Sequence, residues 1–234
     1  MIRNAIPNLF TLGNLACGVL GIVAVFENQW ITASYLIWIA AALDFFDGFV
    51  ARALKATSEL GKQLDSLSDL VTFGVLPSLL YFQMLRETPG EPFHYLALLV
   101  AFCSALRLAK FNIDENQQEN FVGLTTTANG ILASTIPLIL HKEQFLAPLF
   151  NHSIGLPVFV VLFSLFLVAP VTLFSFKFSN FKWKGNEHRY VLILVSILLI
   201  LFIQESAVLL IIGVYLILSL MHSFASKKNK KLRG

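Results

Sequence analysis

Four aspartates, Asp44, Asp47, Asp65 and Asp69, stand in the stretch LDFFDGFVARALKATSELGKQLDSLSDLVTFG, Leu43 to Gly74. Asp44 and Asp47 are i, i+3, so on a helix they share a face. Gly48 and Ala51 fall on that face too, and small residues beside carboxylates let a bulky group approach the backbone. Asp65 and Asp69 are i, i+4, again one face. The connection from Ala53 to Lys62 is short, so the two pairs can face each other across a helical hairpin. Asp44 lies eight residues before Arg52, roughly 12 Å along a helix. An aspartate at the centre of a spanning helix costs about 2.5–3.5 kcal/mol, and four together also repel one another. Arg52, Lys55 and Lys62 are too few to compensate, and two of them are loop residues. Clustered oxygen donors suit hard cations, Mg²⁺ or Mn²⁺. Four carboxylates are enough for two such ions about 3.5–4 Å apart. Paired divalent ions at a membrane surface point to phosphoryl or pyrophosphate chemistry. The chain has no Gly-rich nucleotide loop, so the substrate should have a lipid part in the bilayer and a phosphate part at its face. The plain alternative is a set of interfacial charges that merely end helices. Regular spacing and the lack of lysine partners argue against it.

The elements that must position these acids are membrane helices. The chain has 234 residues, 56% hydrophobic and only 13% charged, with 22 Phe; a soluble domain carries nearer a quarter charged residues. Spans of about 20 apolar residues are expected near 8–26, 30–52, 65–85, 92–112, 122–140, 153–176, 189–204 and 206–224. The expected fold is an all-α polytopic membrane helix bundle of about eight transmembrane helices in one integral membrane domain, 1–234. Its catalytic core would cover about 1–176, with extra helices over about 189–224 and a basic tail over 226–234. With the N-terminus inside, only Arg86 and Lys142 of the 17 Lys and Arg residues fall outside. That asymmetry supports eight spans with both termini cytoplasmic. The net charge of +3 then reflects topology and contact with anionic headgroups, and gives no reason to expect nucleic acid. Cys17 and Cys103 read as small core hydrophobes, and the five histidines read as interfacial. The N-terminus reads as a retained helix, not a cleaved signal.

The spaced residues Asp44-x2-Asp47-Gly48-x2-Ala51-Arg52-x8-Gly61-x3-Asp65-x3-Asp69 resemble the signature of the CDP-alcohol phosphatidyltransferases. Members displace CMP from a CDP-linked lipid with an alcohol, within a six-helix membrane core. The resemblance implies that Asp44 and Asp65 bridge two divalent cations, that Asp47 and Asp69 complete one shell each, and that Asp69 also takes the proton from the attacking hydroxyl. It implies a CDP site lined by Gly48, Arg52 and Ser58, flanked by Ala51 and Gly61, with Asn8 and Thr11 reaching it from the first helix. The bland role for Asn8 or Thr11 is a helix N-cap, and for Arg52 a positive-inside anchor.

The stretches IPNLFTLGNLACG (Ile6 to Gly18), ATSELGKQLDSLSDLVTFGVLP (Ala56 to Pro77), ALRLAKFN (Ala105 to Asn112) and FVGL (Phe121 to Leu124) look like the phosphatidylserine synthase branch. Ser66 and Ser68 stand where the glycerol-phosphate branch tends to have proline and alanine. After FVGL the serine branch often continues with a proline-containing stretch; here TTTANG, Thr125 to Gly130, follows. The expected reaction is transfer of the phosphatidyl group from CDP-diacylglycerol to L-serine. Arg107, or Lys110 beside it at i+3, would hold the serine carboxylate; snorkelling anchors are the bland reading. Glycerol 3-phosphate or inositol phosphate as acceptor, and more remotely a divalent cation transporter, are the alternatives. A homodimer is what the resemblance implies. A bacterial inner membrane with a cytoplasm-facing site is expected.

Overall fold

The structure is a computed structural model that describes residues 2–56, 58–87, 93–113, 121–173 and 186–231. A helix stands within each of the apolar segments expected from the sequence, in the order α1 (Ile2–Phe26), α2 (Trp30–Leu54), α3 (Glu59–Asp69) running through a π-helical turn (Leu70–Val75) into α4 (Leu76–Glu87), a 3₁₀ turn (Phe93–Ala97) leading α5 (Leu98–Ile113), α6 (Thr126–His141), α8 (Gly155–Val168), α9 (Glu187–Ile203) and α10 (Ser206–Lys231). A short α7 (Ala147–Asn151) fills the connection between α6 and α8. Four of these rods are long and apolar enough to cross a membrane: Ala5–Phe26, Trp30–Leu54, Glu59–Glu87 and Phe93–Ile113. Their outward faces carry large apolar side chains in the open, such as Leu9, Leu20, Phe45 and Phe102. That is a surface suited to lipid, not water. The lysines expected inside at 177, 182 and 184, and the expected core boundary at 176, lie outside the described residues.

Among the described residues the only β structure is a two-residue antiparallel ladder, β1 (Phe121–Val122) against β2 (Thr172–Leu173). It ties the α5–α6 connection to the segment after α8. Several boundaries differ from the expectation: α1 begins at Ile2 and not at 8, α6 at Thr126 and not at 122, and α10 runs to Lys231, into the expected tail; two further differences have a visible local cause. The third rod begins at Glu59 and not at 65, because Ser58 caps it: its hydroxyl accepts the amide of Gly61 at 3.0 Å. The sixth stops at Val168, short of 176. Pro170 follows, and the residue before a proline is pushed out of the helical region; Ala169 is extended at ψ 137.

The core lies where α1, α2, α4 and α6 meet around the π-helical turn, with Ile37, Phe73, Leu76, Leu80, Ile136 and Ile139 all buried. Close approach at its centre depends on Gly18. A Cβ there would sit 2.3 Å from the Thr72 hydroxyl, which donates to the Asn14 carbonyl at 3.1 Å. Gly18→Ala is therefore expected to push α1 off the π turn and destabilise the fold by about 1–3 kcal/mol, the range for overpacking. Thermal unfolding in detergent reads this directly, and an unchanged melting temperature would refute it.

Candidate active site

The hairpin between α2 and α3 brings the aspartate pairs together. α2 ends at Leu54 because Lys55 turns left-handed (φ 50), returning its amide and that of Ala56 to the carbonyls of Arg52 and Ala51. Within four residues the chain has reversed into α3. One carboxylate oxygen each from Asp44, Asp47 and Asp65 then lies within 4.8 Å of the others. Asp69 stands one turn deeper, outside that trio and buried, immediately before the π-helical turn. Such turns often occur at functional sites.

The first helix orients the acids. Thr11 donates its hydroxyl to Asp47 Oδ2 at 2.8 Å, and Asn14 donates its side-chain amide to Asp69 Oδ1 at 3.1 Å. The backbone of α1 is tied to the same rod, since Ser68 donates to the Thr11 carbonyl at 3.0 Å. From the other side Thr127 Oγ1 lies 3.4 Å from Asp44 Oδ2, a long bond. Asp65 Oδ1 is buried with no partner.

Two clefts meet at these carboxylates. The larger, about 510 Å³, is lined by Asn8, Thr11, Asp47, Gly48, Ala51, Ser58, Gly61 and Asp65. A Cβ on Gly48 would meet nothing within 4 Å, so the backbone there faces open space. The smaller, about 160 Å³, is lined by Asp65, Ser66, Asp69, Arg107, Asn112 and the threonines Thr125, Thr126 and Thr127. Asp65 and Lys62 belong to both. Arg107 is 9% exposed, and its Nε is buried without a partner.

Most of the residues singled out in the sequence stand close together in the structure. Asn8, Thr11, Gly48, Ala51, Ser58 and Gly61 converge on one cleft. Two expected residues do not join them. Arg52 is exposed on the last turn of α2 and is not among the residues lining the larger cleft, whereas its neighbour Ala51 is. Lys110 is exposed and absent from the smaller cleft that Arg107 lines. Neither Asn8 nor Thr11 caps a helix, because α1 begins at Ile2. Thr11 also spends its hydroxyl on Asp47.

Three contacts at the site join residues whose pairing the sequence reading does not predict. Asn14 continues the i, i+3, i+6 series of Asn8 and Thr11, a spacing visible in the sequence, but its bond to Asp69, 55 positions away, is not. Asn112 and Ser66 pair side chain to side chain at 2.9 Å; nothing local in the sequence links α3 to the end of α5. Thr127 reaches Asp44 across 83 positions.

The donor set fits divalent metal. Three partly or fully buried carboxylates converge, all donors are oxygen, and one oxygen is orphaned. Among the described residues the only ion pair within 4.0 Å is Lys142–Glu205, so no basic side chain is paired with the trio, and the buried Arg107 shares a cleft with Asp69 without contact at that distance. Buried like charges without a counter-charge are strongly disfavoured, and hard divalent cations match oxygen-only ligands.

Comparison with known proteins gives the chain a family. The family model described as CDP-alcohol phosphatidyltransferase matches residues 4–169. A Bacillus subtilis (strain 168) protein named CDP-diacylglycerol–serine O-phosphatidyltransferase is 41% identical over 121 residues, 52% of this chain and 68% of that one. A Helicobacter pylori (strain 26695) protein of the same name is 31% identical over 232 residues, 96% of this chain and 95% of that one. An archaeal protein from Methanothermobacter thermautotrophicus, named archaetidylserine synthase, is 31% identical over 140 residues, 57% of this chain and 58% of the relative.

Proposed function

This chain belongs to the CDP-alcohol phosphatidyltransferase family, and from that premise we propose that it transfers the phosphatidyl group of CDP-diacylglycerol to the hydroxyl of L-serine, yielding phosphatidylserine and CMP. The observation that carries the reading is the junction of the two clefts at Asp65 and Lys62. A donor in the larger cleft and an acceptor in the smaller one would meet beside the acidic trio.

The larger cleft takes the CDP moiety, with Gly48 and Gly61 giving it backbone-close access and Asn8 and Ser58 offering polar atoms. Asp44, Asp47 and Asp65 would hold two divalent cations, Mg²⁺ or Mn²⁺, with Asp69 completing the set. When bound, the ions neutralise charge on the pyrophosphate and stabilise the departing CMP. In the smaller cleft Arg107 holds the serine carboxylate with its fork of donors. Asp69 takes the proton from the serine hydroxyl. That oxygen attacks the β-phosphorus of CDP-diacylglycerol, and the bond from this phosphorus to the bridging oxygen breaks, releasing CMP. Asn14 fixes the Asp69 carboxylate so that its second oxygen can face the acceptor.

Serine is favoured over a phosphorylated acceptor on two grounds. The smaller cleft holds one buried cation, Arg107, with the exposed Lys62 at its junction with the larger cleft, and both stand beside the carboxylates of Asp65 and Asp69; that balance suits a zwitterion better than a doubly charged phosphate. The relatives above also share serine in their names although the archaeal one differs in its lipid. Purified protein offered radiolabelled serine or glycerol 3-phosphate with CDP-diacylglycerol decides the matter; label passing into lipid only from glycerol 3-phosphate would overturn the serine assignment. Arg107→Lys is expected to raise the KM for serine at least about tenfold, as loss of a bidentate charged contact does, with the KM for CDP-diacylglycerol little changed. An unaltered serine KM would remove Arg107 from the acceptor site.

The setting follows the same reading. Eight spans with both termini in the cytoplasm place the acids at the inner face of a bacterial cytoplasmic membrane, and the active form is a homodimer. Cysteine accessibility mapping tests the first point, since a reagent that stays outside should label position 142 and not position 62.

A further inference from the structure

Building on the serine-transfer reading, we propose that the C-terminal helix α10 positions the acceptor cleft by seating Leu124, the residue that anchors the threonine run Thr125–Thr127. Leu124 is 1% exposed and packs with Leu216, itself 6% exposed, and with Ile212, both on α10. Phe163 and Phe166 of α8, Ala128 of α6, Tyr215 of α10, and Val171 complete the cluster.

The backbone at this point is held by two hydrogen bonds. Gly123 donates its amide to the Val171 carbonyl, and Leu124 donates to that of Phe166, both at 2.9 Å. Gly123 sits at φ +76, and a Cβ there would lie 2.6 Å from the Leu167 carbonyl, so this approach admits only glycine. The end of α8 and Val171 just beyond it therefore fix the main chain of residues 123–124, and α10 packs on the Leu124 side chain. The next residue, Thr125, caps α6 by accepting the amide of Ala128 at 3.2 Å. Thr127, one position before Ala128, reaches Asp44. Any shift of Leu124 is passed within one turn to three residues lining the acceptor cleft.

α10 lies beyond the matched family region, which ends at residue 169. The Bacillus subtilis relative is also shorter than this chain, since 121 matched residues make 68% of it. The helix is thus an addition to the matched domain. Its effect should fall on acceptor affinity, and the metal-holding acids on α2 and α3 should be spared. It also gives a use to the TTTANG stretch, where the sequence departs from the usual serine-branch pattern.

The full-length protein tests this with Leu216→Ala, the milder Ile212→Val and the conservative Leu216→Met. Leu216→Ala should raise the KM for serine about fivefold while leaving that for CDP-diacylglycerol within about twofold. Hydrogen exchange at the amides of Thr125 to Asn129 should accelerate. Ile212→Val should move both readouts the same way by less, and Leu216→Met should restore both. Unchanged serine KM and unchanged exchange overturn the proposal, as does a fall in kcat with both KM values intact. Should Leu216→Ala not fold, Ile212→Val gives the same decision. If wild-type protein does not use serine, the proposed function fails, and exchange alone still decides whether α10 braces this segment.

Discussion

Stripping divalent cations from the purified protein with EDTA should take phosphatidyl transfer to background, and adding Mg²⁺ or Mn²⁺ should restore it. The expectation follows from charge placement. Asp44, Asp47 and Asp65 converge within 4.8 Å, and the one ion pair among the described residues lies elsewhere. In a low-dielectric bundle such a cluster needs compensation from outside the polypeptide. A cation that binds the folded state and not the unfolded one also raises stability by mass action, about 2.7 kcal/mol at a hundred times its dissociation constant. The melting temperature should accordingly climb with added Mg²⁺ or Mn²⁺ in wild type, and the climb should vanish in Asp47→Asn and Asp65→Asn. Those two variants should also lose turnover. Full activity in chelator, or a melting temperature indifferent to metal, would dismantle the metal assignment.

The acids are legible in the sequence because their spacing is local. Two pairs at helical intervals, joined by a short loop, can only converge if the loop is a hairpin, and Ser58, Gly61 and the left-handed Lys55 make it one. Helix existence is legible for the same reason, as long apolar runs have few other options in a membrane. Helix ends are less so where hydropathy alone sets them. The amphipathic turn from Glu59 to Leu64 is too polar to count as a span, yet it is helical. The apolar run past Val168 looks like a continuing span, yet Pro170 ends it. Contacts made across the bundle leave no such local trace. Asn14 with Asp69, Asn112 with Ser66 and Thr127 with Asp44 join residues 55, 46 and 83 positions apart. Only the way the helices pack sets these pairs. Arg52 and Lys110, close in sequence to site residues, stay out of the clefts: one step from Ala51 turns Arg52 about 100° round the helix, and Lys110 stands a turn beyond Arg107 toward the exposed end of α5.

Asp69→Asn should abolish turnover while leaving CDP-diacylglycerol bound, and this separates the roles of the four acids. Asp69 differs from the others in place and partners. It lies outside the trio, lines the acceptor cleft together with Arg107, and accepts a bond from Asn14 on one oxygen only. The substitution keeps its shape and the packing of the buried site, but the amide cannot take a proton. General bases contribute about 10² to 10⁴ in rate, so kcat should fall by at least about a thousandfold once any loss of metal coordination is added. Binding of CDP-diacylglycerol, read by calorimetry in detergent with Mg²⁺ present, should stay within about threefold of wild type because the trio and the larger cleft are intact. Asp47→Asn gives the contrast: it removes a member of the trio and the partner of Thr11, so nucleotide-lipid binding and turnover should fall together. Asn14→Ala should be intermediate, lowering kcat by about tenfold through a less well-held carboxylate. If Asp69→Asn retains turnover near wild type, the proton is taken by another group. If it loses CDP-diacylglycerol binding as completely as Asp47→Asn, Asp69 belongs with the metal-holding acids alone.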